Sequence, residues 1–235
     1  DYNKLVYVWN DSEYDAWDYE VLEEGDLASN DLALDHSDHP HIVYTSDTGL
    51  NYTWSDGISW HTETVLPESG SPALALDSNN HPHICSASGN RALLYHVYSN
   101  GYSWNIEVVD GPYTWTNTIT SCSIAIDSND NPHISYRVAD DHRLMYAVKK
   151  PTGWERTILD SFKYGVFMGD TSIALDAHDS PHISYYDGEN YDLKYAWLAP
   201  PSPSPTVMSI SPDHAVSFST VHIMDLKGTG FFEST

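Results

Sequence analysis

A short motif that recurs four times constrains the folding of this 235-residue chain more than any other feature. Each copy has an Ile/Leu-Ala-Ile/Leu-Asp run, and the His of a Pro-His-Ile sequence follows six residues after the Asp. The four Asp residues are Asp35, Asp77, Asp127 and Asp176, which are 42, 50 and 49 residues apart. A period of this size predicts that one supersecondary unit is repeated along the chain.

Two further strand patterns follow the motif in each unit. A Leu-x-Tyr pattern occurs five times, as Leu5-Val-Tyr7, Leu50-Asn-Tyr52, Leu93-Leu-Tyr95, Leu144-Met-Tyr146 and Leu193-Lys-Tyr195. A strand that opens with Trp follows in four units, at Trp17, Trp60, Trp104 and Trp154, and the last unit lacks it. Short alternating apolar runs between Gly, Asn, Asp and Pro are typical of strands and turns. Each full unit is therefore predicted to be four antiparallel strands.

Units of this size and composition predict an all-β fold, a β-propeller of four-stranded antiparallel blades over residues 1–199. We count about five blade positions, of which the first contributes two strands and the last three. The recurring Ile-Ala-Leu-Asp and Pro-His-Ile-Ser-Tyr sequences resemble the repeats of secreted bacterial and archaeal β-propellers, distantly similar to sialidase-type and lectin-type propellers. That resemblance implies an extracellular or cell-surface protein.

The chain changes character after a Pro/Ser linker at residues 200–205. Val207-Met-Ser-Ile210 and the run from Val221 to Phe231 resemble the first two strands of an IPT/TIG immunoglobulin-like domain. Residues 206–235 are therefore predicted to be a partial Ig-like segment, because such a sandwich needs about seven strands. We expect these strands to dock on the propeller or to pair with another chain, so that residues 205–235 support self-assembly.

The charge of the chain excludes some partners. The formal net charge is −24, from 10 Lys and Arg against 34 Asp and Glu. Nucleic acids and anionic membrane surfaces need a basic footprint, so neither is an expected partner. No apolar run reaches the length of a membrane span. The acidity is typical of a secreted or surface protein, and solubility alone explains it equally well.

Several repeated residues are predicted to be structural. The Trp series predicts packing between blades, and Glu20, Glu63 and Glu107, three residues further on, are expected on an outer strand. Cys85 and Cys122 lie in neighbouring repeats, where a disulfide is one alternative and two buried free thiols are the favoured one.

The turn after each repeated Asp offers a candidate metal site. Asp127, Asn129 and Asn131 present oxygen atoms at alternate positions, as calcium-binding loops do. The Gly and the distal Glu of such loops are absent, and four similar turns favour a structural latch. Ca²⁺ at these three residues is the alternative, and no other cofactor is predicted.

The longer connections that do not repeat are the candidate ligand site. Two of them carry aromatic residues beside Asn or Asp, and the candidate binding residues are Tyr113, Trp115, Asn117, Tyr164, Phe167 and Asp170. Sugars and peptides are bound by stacking on such rings together with directed hydrogen bonds. The alternative is that these rings pack locally over the blade ends.

No catalytic residue is predicted, because no hydrolase, phosphate-loop or zinc-protease motif is present. A sialidase would need an Arg cluster, and none of the four Arg residues lies on a predicted inner strand. We therefore expect a non-enzymatic extracellular or cell-surface module that binds a glycan or a surface protein. The alternatives are a structural subunit of a surface layer or fibre, and a glycoside-acting hydrolase or lyase.

Overall fold

The computed structural model describes residues 3–11, 16–67, 70–88, 92–113, 118–139, 142–161, 170–188, 190, 192–198 and 221–226. Their regular elements are all β-strands, arranged as one two-stranded and four four-stranded antiparallel sheets. The prediction of an all-β chain built from four-stranded antiparallel units is therefore confirmed. Within these ranges there is no helix with the length and apolar character needed to cross a membrane.

The strands follow the chain in order within each sheet. The first sheet is the hairpin of β1 (Asn3–Asp11) and β2 (Ala16–Gly25). The second sheet consists of β3 (Leu27–Leu34), β4 (Pro40–Ser46), β5 (Gly49–Ser55) and β6 (Trp60–Leu66). The third consists of β7 (Gly70–Leu76), β8 (Pro82–Ser88), β9 (Leu93–Ser99) and β10 (Trp104–Asp110). The fourth consists of β11 (Ile119–Ile126), β12 (Pro132–Val138), β13 (Arg143–Lys150) and β14 (Gly153–Ser161). The fifth consists of β15 (Thr171–Leu175), β16 (Pro181–Asp187), β17 (Asp192–Leu198) and β18 (Val221–Leu226).

The repeated motif forms the turn between the first two strands of each four-stranded sheet. The residue three positions after the repeated Asp has a left-handed backbone, with φ between 61° and 63° at Asp38, Asn80, Asp130 and Asp179. Asp and Asn adopt this conformation more readily than other non-glycine residues, which explains their recurrence there. The first strands β3, β7, β11 and β15 are successive neighbours in space, as inner strands of a propeller are.

The apolar core lies between consecutive sheets, which is why every sheet needs a neighbour. Leu50 and Val43 of the second sheet pack in one cluster with Leu74 and Ile84 of the third. Comparable clusters join the first sheet to the second, the third to the fourth and the fourth to the fifth. Burying each such side chain contributes about 1.5–3 kcal/mol.

The fifth sheet has a fourth strand, so the expectation of three strands there is wrong. Val221–Leu226 pairs antiparallel with β17, from Leu193 opposite Leu226 to Leu198 opposite Val221. The pairing satisfies backbone groups that the edge of β17 would otherwise expose. The strand lacks the opening Trp and follows a Pro-rich linker, which hid it in the sequence pattern. The Ig-like assignment of residues 206–235 stays a prediction, since most of that segment lies outside the described ranges.

The Leu-x-Tyr alignment of the third unit is wrong by one residue. Tyr98 pairs with His83 as Trp54 pairs with His41, so His96 and not Tyr95 is the structural equivalent of Tyr52. A shift of one residue moves a side chain to the other face of a strand. Tyr95 accordingly packs in the core towards the second sheet.

Cys85 and Cys122 form a disulfide, so the favoured prediction of free thiols is wrong. The bond joins β8 to β11 and therefore links the third and fourth sheets, with Cα atoms 6.4 Å apart. The sequence spacing does not reveal that β8 and β11 are neighbours across a sheet-to-sheet junction.

Candidate functional site

Three consecutive junctions between sheets use the same aromatic contact. A Trp near the start of one sheet's fourth strand meets, edge to face, a ring on the last strand but one of the preceding sheet. The three pairs are Trp60 with Tyr7, Trp104 with Tyr52 and Trp154 with His96, with ring centroids 5.3–5.4 Å apart. For these three Trp residues the predicted packing between blades is confirmed.

In two of these junctions the Trp also donates a hydrogen bond to the repeated Glu of the preceding sheet. Trp60 Nε1 lies 2.9 Å from Glu20 Oε2, and Trp154 Nε1 lies 3.1 Å from Glu107 Oε2. The Glu residues lie on the last strand of their sheets, β2, β6 and β10, as expected for an outer strand. The carboxylates of Glu20 and Glu107 thus connect neighbouring sheets as well as adding charge to an edge.

The junction between the second and third sheets departs from this pattern. Neither the Glu63 carboxylate nor Trp104 Nε1 has a hydrogen-bond partner among the described residues. Both line a cavity of about 290 Å³ together with Trp54, Ser99 and Tyr102. We call this cavity the open groove.

The open groove combines flat apolar rings with polar groups. Trp54 stacks on Tyr52 with ring centroids 5.1 Å apart, and both face the groove. Tyr102 lies in the turn between β9 and β10, and 98% of its surface is exposed. Asn80 and Ser103 add polar side chains to the lining. Its volume lies near the lower limit of about 300–1,000 Å³ for small-molecule sites, which fits one sugar-sized ring.

The repeated His forms the inner wall of the open groove. His41 Nδ1 is hydrogen-bonded to the Tyr52 hydroxyl, and both side chains are buried. Burial lowers the pKa of His41 below its usual value despite the nearby Asp35 carboxylate. His41 is therefore neutral at physiological pH, and the inner wall carries no positive charge.

The lining of the open groove contains no Lys or Arg. Glu63 is exposed, and neither Lys nor Arg occurs among the residues that line the cavity. The sequence from residue 5 to residue 90 contains no Lys or Arg at all. A carboxylate without a counter-ion accepts hydrogen bonds from hydroxyl groups and repels anionic ligands.

The next junction is the corresponding closed groove, built from His96, Glu107, Lys149 and Trp154. Lys149 Nζ lies 2.8 and 2.7 Å from the two oxygens of Glu107, and 5.5 Å from the centre of the Trp154 ring. Burial alone would raise the pKa of Glu107, but Lys149 and Trp154 lower it below its usual range. The ammonium group therefore takes the position that a ligand hydroxyl could take in the open groove.

In the closed groove a buried His96 takes the position that Tyr52 has in the open groove. Its Nε2 lies 3.0 Å from His83 Nδ1, while its Nδ1 has no hydrogen-bond partner among the described residues. Burial, together with the neighbouring His83, lowers the pKa of His96 to about 3. The imidazole is therefore neutral at physiological pH.

Two of the residues predicted to bind ligand, Tyr113 and Asp170, lie at the opposite end of the sheets from the Asp turns. Trp115, Asn117, Tyr164 and Phe167 fall outside the described residues. The Tyr113 ring is half-buried against the core between the third and fourth sheets, and its hydroxyl donates to Asp110 Oδ2 at 2.6 Å.

Asp170 is exposed at the start of β15. A cavity of about 710 Å³ opens at the same end of the sheets, lined by hydroxyl groups and by Asp26 and Asp47. Thr118 and Thr120, which follow the first predicted binding loop, are part of that lining. The assignment of the loop residues to a ligand stays a prediction.

The candidate metal residues form a hydrogen-bonded turn. Asp127 Oδ1 accepts the backbone N–H groups of Asn129 at 2.9 Å and Asn131 at 2.8 Å. The Asn131 amide adds bonds of 3.1 and 3.0 Å to the two carboxylate oxygens. Burial alone would raise the pKa of Asp127, but these donors lower it. The described residues hold no cluster of three or more His, Cys, Asp or Glu arranged for a metal, and Ca²⁺ stays a prediction.

The same turns connect successive sheets, which supports their interpretation as a structural latch. The Asp130 carboxylate accepts the backbone N–H of Ser78 at 2.8 Å and the Ser78 hydroxyl at 2.7 Å. Asp179 binds Ser128 in the same way, at 2.9 and 2.5 Å. Asn80 accepts only the backbone N–H of His36, at 3.2 Å.

Sequence reasoning missed the open groove because its residues belong to the repeat. Glu63 and Trp104 match their counterparts in other units, so nothing in their identity marks them. Tyr102 is the residue that could have revealed the groove from the sequence, because the equivalent turn position in the second sheet is Ile58. An aromatic residue at the tip of a short hairpin has no packing role to explain it.

No protein-family model matches the chain, and no curated protein matches it significantly. Several solved structures share its fold. A protein of unknown function from Dyadobacter fermentans matches 97% of this chain and 73% of its own, with 13% identity and a TM-score of 0.64. A variant of Aleuria aurantia lectin in complex with α-methyl-L-fucoside matches 77% of this chain and 63% of its own, with 15% identity and a TM-score of 0.55.

An α-L-arabinofuranosidase from Fusarium graminearum, in complex with an iminosugar inhibitor, is also similar. It matches 73% of this chain and 62% of its own, with 12% identity and a TM-score of 0.50. The chain thus spans less than two thirds of the lectin and of the arabinofuranosidase. At these identities the likeness establishes a propeller-like fold and nothing further.

Proposed function

We propose that this protein is an extracellular carbohydrate-binding protein that holds one sugar ring in the open groove. The observation that carries the proposal is the pair of unused polar groups, Glu63 and Trp104 Nε1, in a cavity walled by aromatic rings. Sugar rings have apolar faces that stack on aromatic side chains, and hydroxyl edges that donate to carboxylates. The lectin among the structural neighbours supports the ligand class.

The charge of the groove favours neutral sugars over acidic ones. The groove lining has no Lys or Arg beside Glu63 to receive the carboxylate of a sialic or uronic acid. An anionic ligand would also meet the repulsion of a chain whose net charge is −24. The expected ligands are neutral monosaccharides or the terminal residues of neutral glycans.

Binding is favoured over glycoside hydrolysis. Hydrolysis commonly needs two carboxyl groups that flank the scissile bond, roughly 5–9.5 Å apart. Glu63 is the only Asp or Glu among the residues that line the open groove. A lone carboxylate can bind a hydroxyl group, but it cannot act as acid and as nucleophile or base at once.

An extracellular location has support from the covalent structure. The Cys85–Cys122 disulfide requires an oxidising compartment to form and persist. The acidic surface is compatible with that setting. A cell-surface anchor or an assembly role for residues 205–235 is a separate proposal, which binding in the open groove does not require.

Glu63→Gln and Tyr102→Ala test the proposal. Isothermal titration with α-methyl-L-fucoside and a panel of neutral monosaccharides should identify a ligand of the wild-type chain. Glu63→Gln should then weaken binding about tenfold or more, because a hydrogen bond to a charged group contributes about 1.5–3 kcal/mol. Tyr102→Ala should weaken it several-fold through the loss of about 0.5–1.5 kcal/mol of ring contact.

Matched controls come from the first junction. Glu20→Gln alters the equivalent carboxylate, which Trp60 already occupies, and Ile58→Ala alters the turn position equivalent to Tyr102. Both controls should leave sugar affinity unchanged. An equal loss of affinity in the control and target variants would contradict the proposal, as would the absence of sugar binding by the wild-type chain.

A further inference from the structure

The closed groove holds a chemical group that the open groove lacks, a primary ammonium. The ammonium of Lys149 lies 2.8 and 2.7 Å from the two carboxylate oxygens of Glu107. It also lies 5.5 Å from the centre of the Trp154 ring. A carboxylate and the face of an indole both attract an ammonium group. A Glu and a Trp on neighbouring sheets of this chain are therefore arranged to hold one.

The open groove has the same Glu and Trp at equivalent positions. Glu63 lies on the fourth strand of the second sheet at the position that Glu107 has in the third. Trp104 opens the fourth strand of the third sheet, as Trp154 lies near the start of that strand in the fourth. Ser99 pairs with this Trp where the closed groove has its lysine. The two grooves thus differ at the residue that provides the ammonium.

No described side chain provides a counter-ion to the Glu63 carboxylate in place of that lysine. Ser99 lines the cavity of about 290 Å³ beside Glu63, and a serine side chain carries no charge. His41 also lines the cavity, and it is neutral because burial lowers its pKa below the usual value. The carboxylate and the space in front of it are therefore available to a cation from outside the chain.

The charge around the groove favours such a cation. The chain has a net charge of −24, and residues 5 to 90 include neither Lys nor Arg. A field of one sign raises the local concentration of oppositely charged ligands. Of two ligands with the same shape, the one with a protonated amine should therefore bind the open groove more tightly than the neutral one.

We propose that the open groove prefers amino sugars, in which a protonated primary amine replaces one hydroxyl group. The inference rests on the proposed function and extends its ligands from neutral sugars to cationic ones, which should bind more tightly. The ammonium binds the Glu63 carboxylate as Lys149 binds Glu107. The sugar ring stacks on an aromatic wall of the groove such as Trp54, and Trp104 Nε1 donates to a hydroxyl oxygen.

Other amines would use fewer of these groups. A lysine side chain or a polyamine has an ammonium for Glu63, but its alkyl chain has no ring to stack on Trp54. It also has no hydroxyl oxygen to accept the hydrogen bond from Trp104 Nε1. An N-acetylated sugar keeps the ring and the hydroxyls, but its amide carries no charge. The amino sugar is the ligand that uses the carboxylate, the ring and the indole N–H together.

Isothermal titration with matched pairs of sugars is the direct test. Glucosamine, galactosamine and mannosamine are compared with glucose, galactose and mannose, and with their own N-acetyl forms. At least one amino sugar should bind about five- to tenfold more tightly than both partners, since a partly exposed ion pair and a cation–π contact each add a modest gain. Added NaCl should reduce this advantage and leave the affinity of the parent sugar unchanged, because salt screens charge.

Two variants assign the advantage to the carboxylate. Glu63→Gln removes the charge, and Ser99→Lys supplies an ammonium from within the chain. Both should lower the affinity for the amino sugar by a larger factor than the affinity for its parent. Glu20→Gln and Ser55→Lys make the same changes at the first junction and should leave both affinities unchanged.

The outcomes separate this inference from the proposed function. Equal affinity for amino sugars and their parents, or equal losses for both in Glu63→Gln and Ser99→Lys, would overturn the inference and leave carbohydrate binding intact. Binding of no sugar at all would overturn both. Nα-acetyl-lysine methylamide is the probe for a lysine side chain. If it bound as tightly as the best amino sugar, the groove would be a site for a protein lysine and the inference would be wrong.

Discussion

The open groove and the closed groove are built from equivalent positions, but only the closed one uses its polar groups within the chain. Glu107 receives Lys149 and Trp154, whereas Glu63 receives neither a Lys nor Trp104. Ser99 occupies the strand position on β9 that Lys149 occupies on β13. Lys149 on the following sheet thus closes one junction with an ion pair, whereas Ser99 at the equivalent position leaves the Glu63 carboxylate without a counter-ion.

Other cross-links are distributed in the same uneven way. At the junction of the third and fourth sheets, Asp110 accepts the Tyr136 hydroxyl at 2.6 Å and Arg156 at 2.8 Å. The equivalents of Asp110 and Tyr136 at the preceding junction are Leu66 and Ser86, so both partners of that hydrogen bond are replaced. The disulfide also belongs to the later junction.

The difference shows which contacts the fold requires. Both junctions keep an apolar core between sheets and an edge-to-face contact made by a Trp. Ion pairs, the Asp110 cluster and the disulfide are additions that one junction has and the other lacks. A sheet-to-sheet junction in this chain can therefore do without the ion pair, the Asp110 hydrogen bonds and the disulfide, and its Glu63 carboxylate then has no hydrogen-bond partner among the described residues.

Among the changes that test this comparison, removal of the disulfide should have the largest effect on stability. The bond closes a loop with a sequence separation of 37 residues, so Cys85→Ala with Cys122→Ala should lower the free energy of unfolding by about 3–4 kcal/mol. Chemical denaturation at neutral pH measures this value. Sugar affinity should stay unchanged, because the open groove lies one junction away.

Reduction of the wild-type chain with dithiothreitol is the control, since it breaks the bond without altering core volume. It should reproduce most of the loss seen for the double variant. Unchanged stability would mean that the junction of the third and fourth sheets is not the tighter one. A loss of sugar binding would mean that the two junctions are not independent.

The sequence was sufficient to predict the features that recur from sheet to sheet. The Ala-Leu-Asp run, the Asp turn and the Trp opening of the fourth strand recur because each sheet must pack on the next. Period and residue type therefore revealed them. The fourth strand of the fifth sheet escaped because Val221–Leu226 lacks that Trp and follows a long interruption.

The candidate site could not be predicted from repeat period and residue type, because it depends on differences between equivalent positions. Ser99 and Lys149 are each unremarkable in a hairpin, and their effect follows from facing Glu63 or Glu107 across a junction. Cys85 and Cys122 raise the same difficulty, since their bond crosses between strands that are not sequential. Such adjacency between sheets is a property of the assembled fold and has no local signal.

Ser99→Lys should convert the open groove towards the closed one. The new ammonium group can reach Glu63 as Lys149 reaches Glu107, so sugar affinity should fall about tenfold or more as the carboxylate is occupied. Stability should change by less than about 1 kcal/mol, because the pair is partly exposed to solvent. Titration calorimetry and thermal unfolding measure the two quantities.

Ser55→Lys is the matched control, since Ser55 is the equivalent residue at the first junction. It introduces the same charge and should leave sugar affinity unchanged. Binding by Ser99→Lys with wild-type affinity would show that Glu63 does not contact the ligand, and would break the comparison between the two grooves.

The smallest expected effect concerns the latch between turns, where the two junctions also differ. Asp130→Gly removes two hydrogen bonds to a carboxylate, Asn80→Gly removes one to an amide, and Asp38→Gly removes none among the described residues. All three positions have φ between 61° and 63°, a conformation that Gly adopts without strain. Any stabilisation from relief of backbone strain is therefore the same in the three variants. Relative to Asp38→Gly, unfolding free energy should fall by about 1 kcal/mol for Asp130→Gly and by less for Asn80→Gly.

The pH dependence of these variants tests the cause of the difference. The N–H and hydroxyl of Ser78 lower the pKa of Asp130, so its contribution is present above its unfolded pKa and is lost as pH falls through the lower folded value. The gap between Asp130→Gly and Asn80→Gly should therefore close in strong acid, since Asn80 does not titrate. Urea denaturation of the three variants at neutral pH and below pH 3 measures the gap. If the stability difference between Asp130→Gly and Asn80→Gly persists in acid, its cause is packing and not the Asp130 carboxylate. The polar and covalent contacts that distinguish the two junctions would then be those of Lys149 and the disulfide.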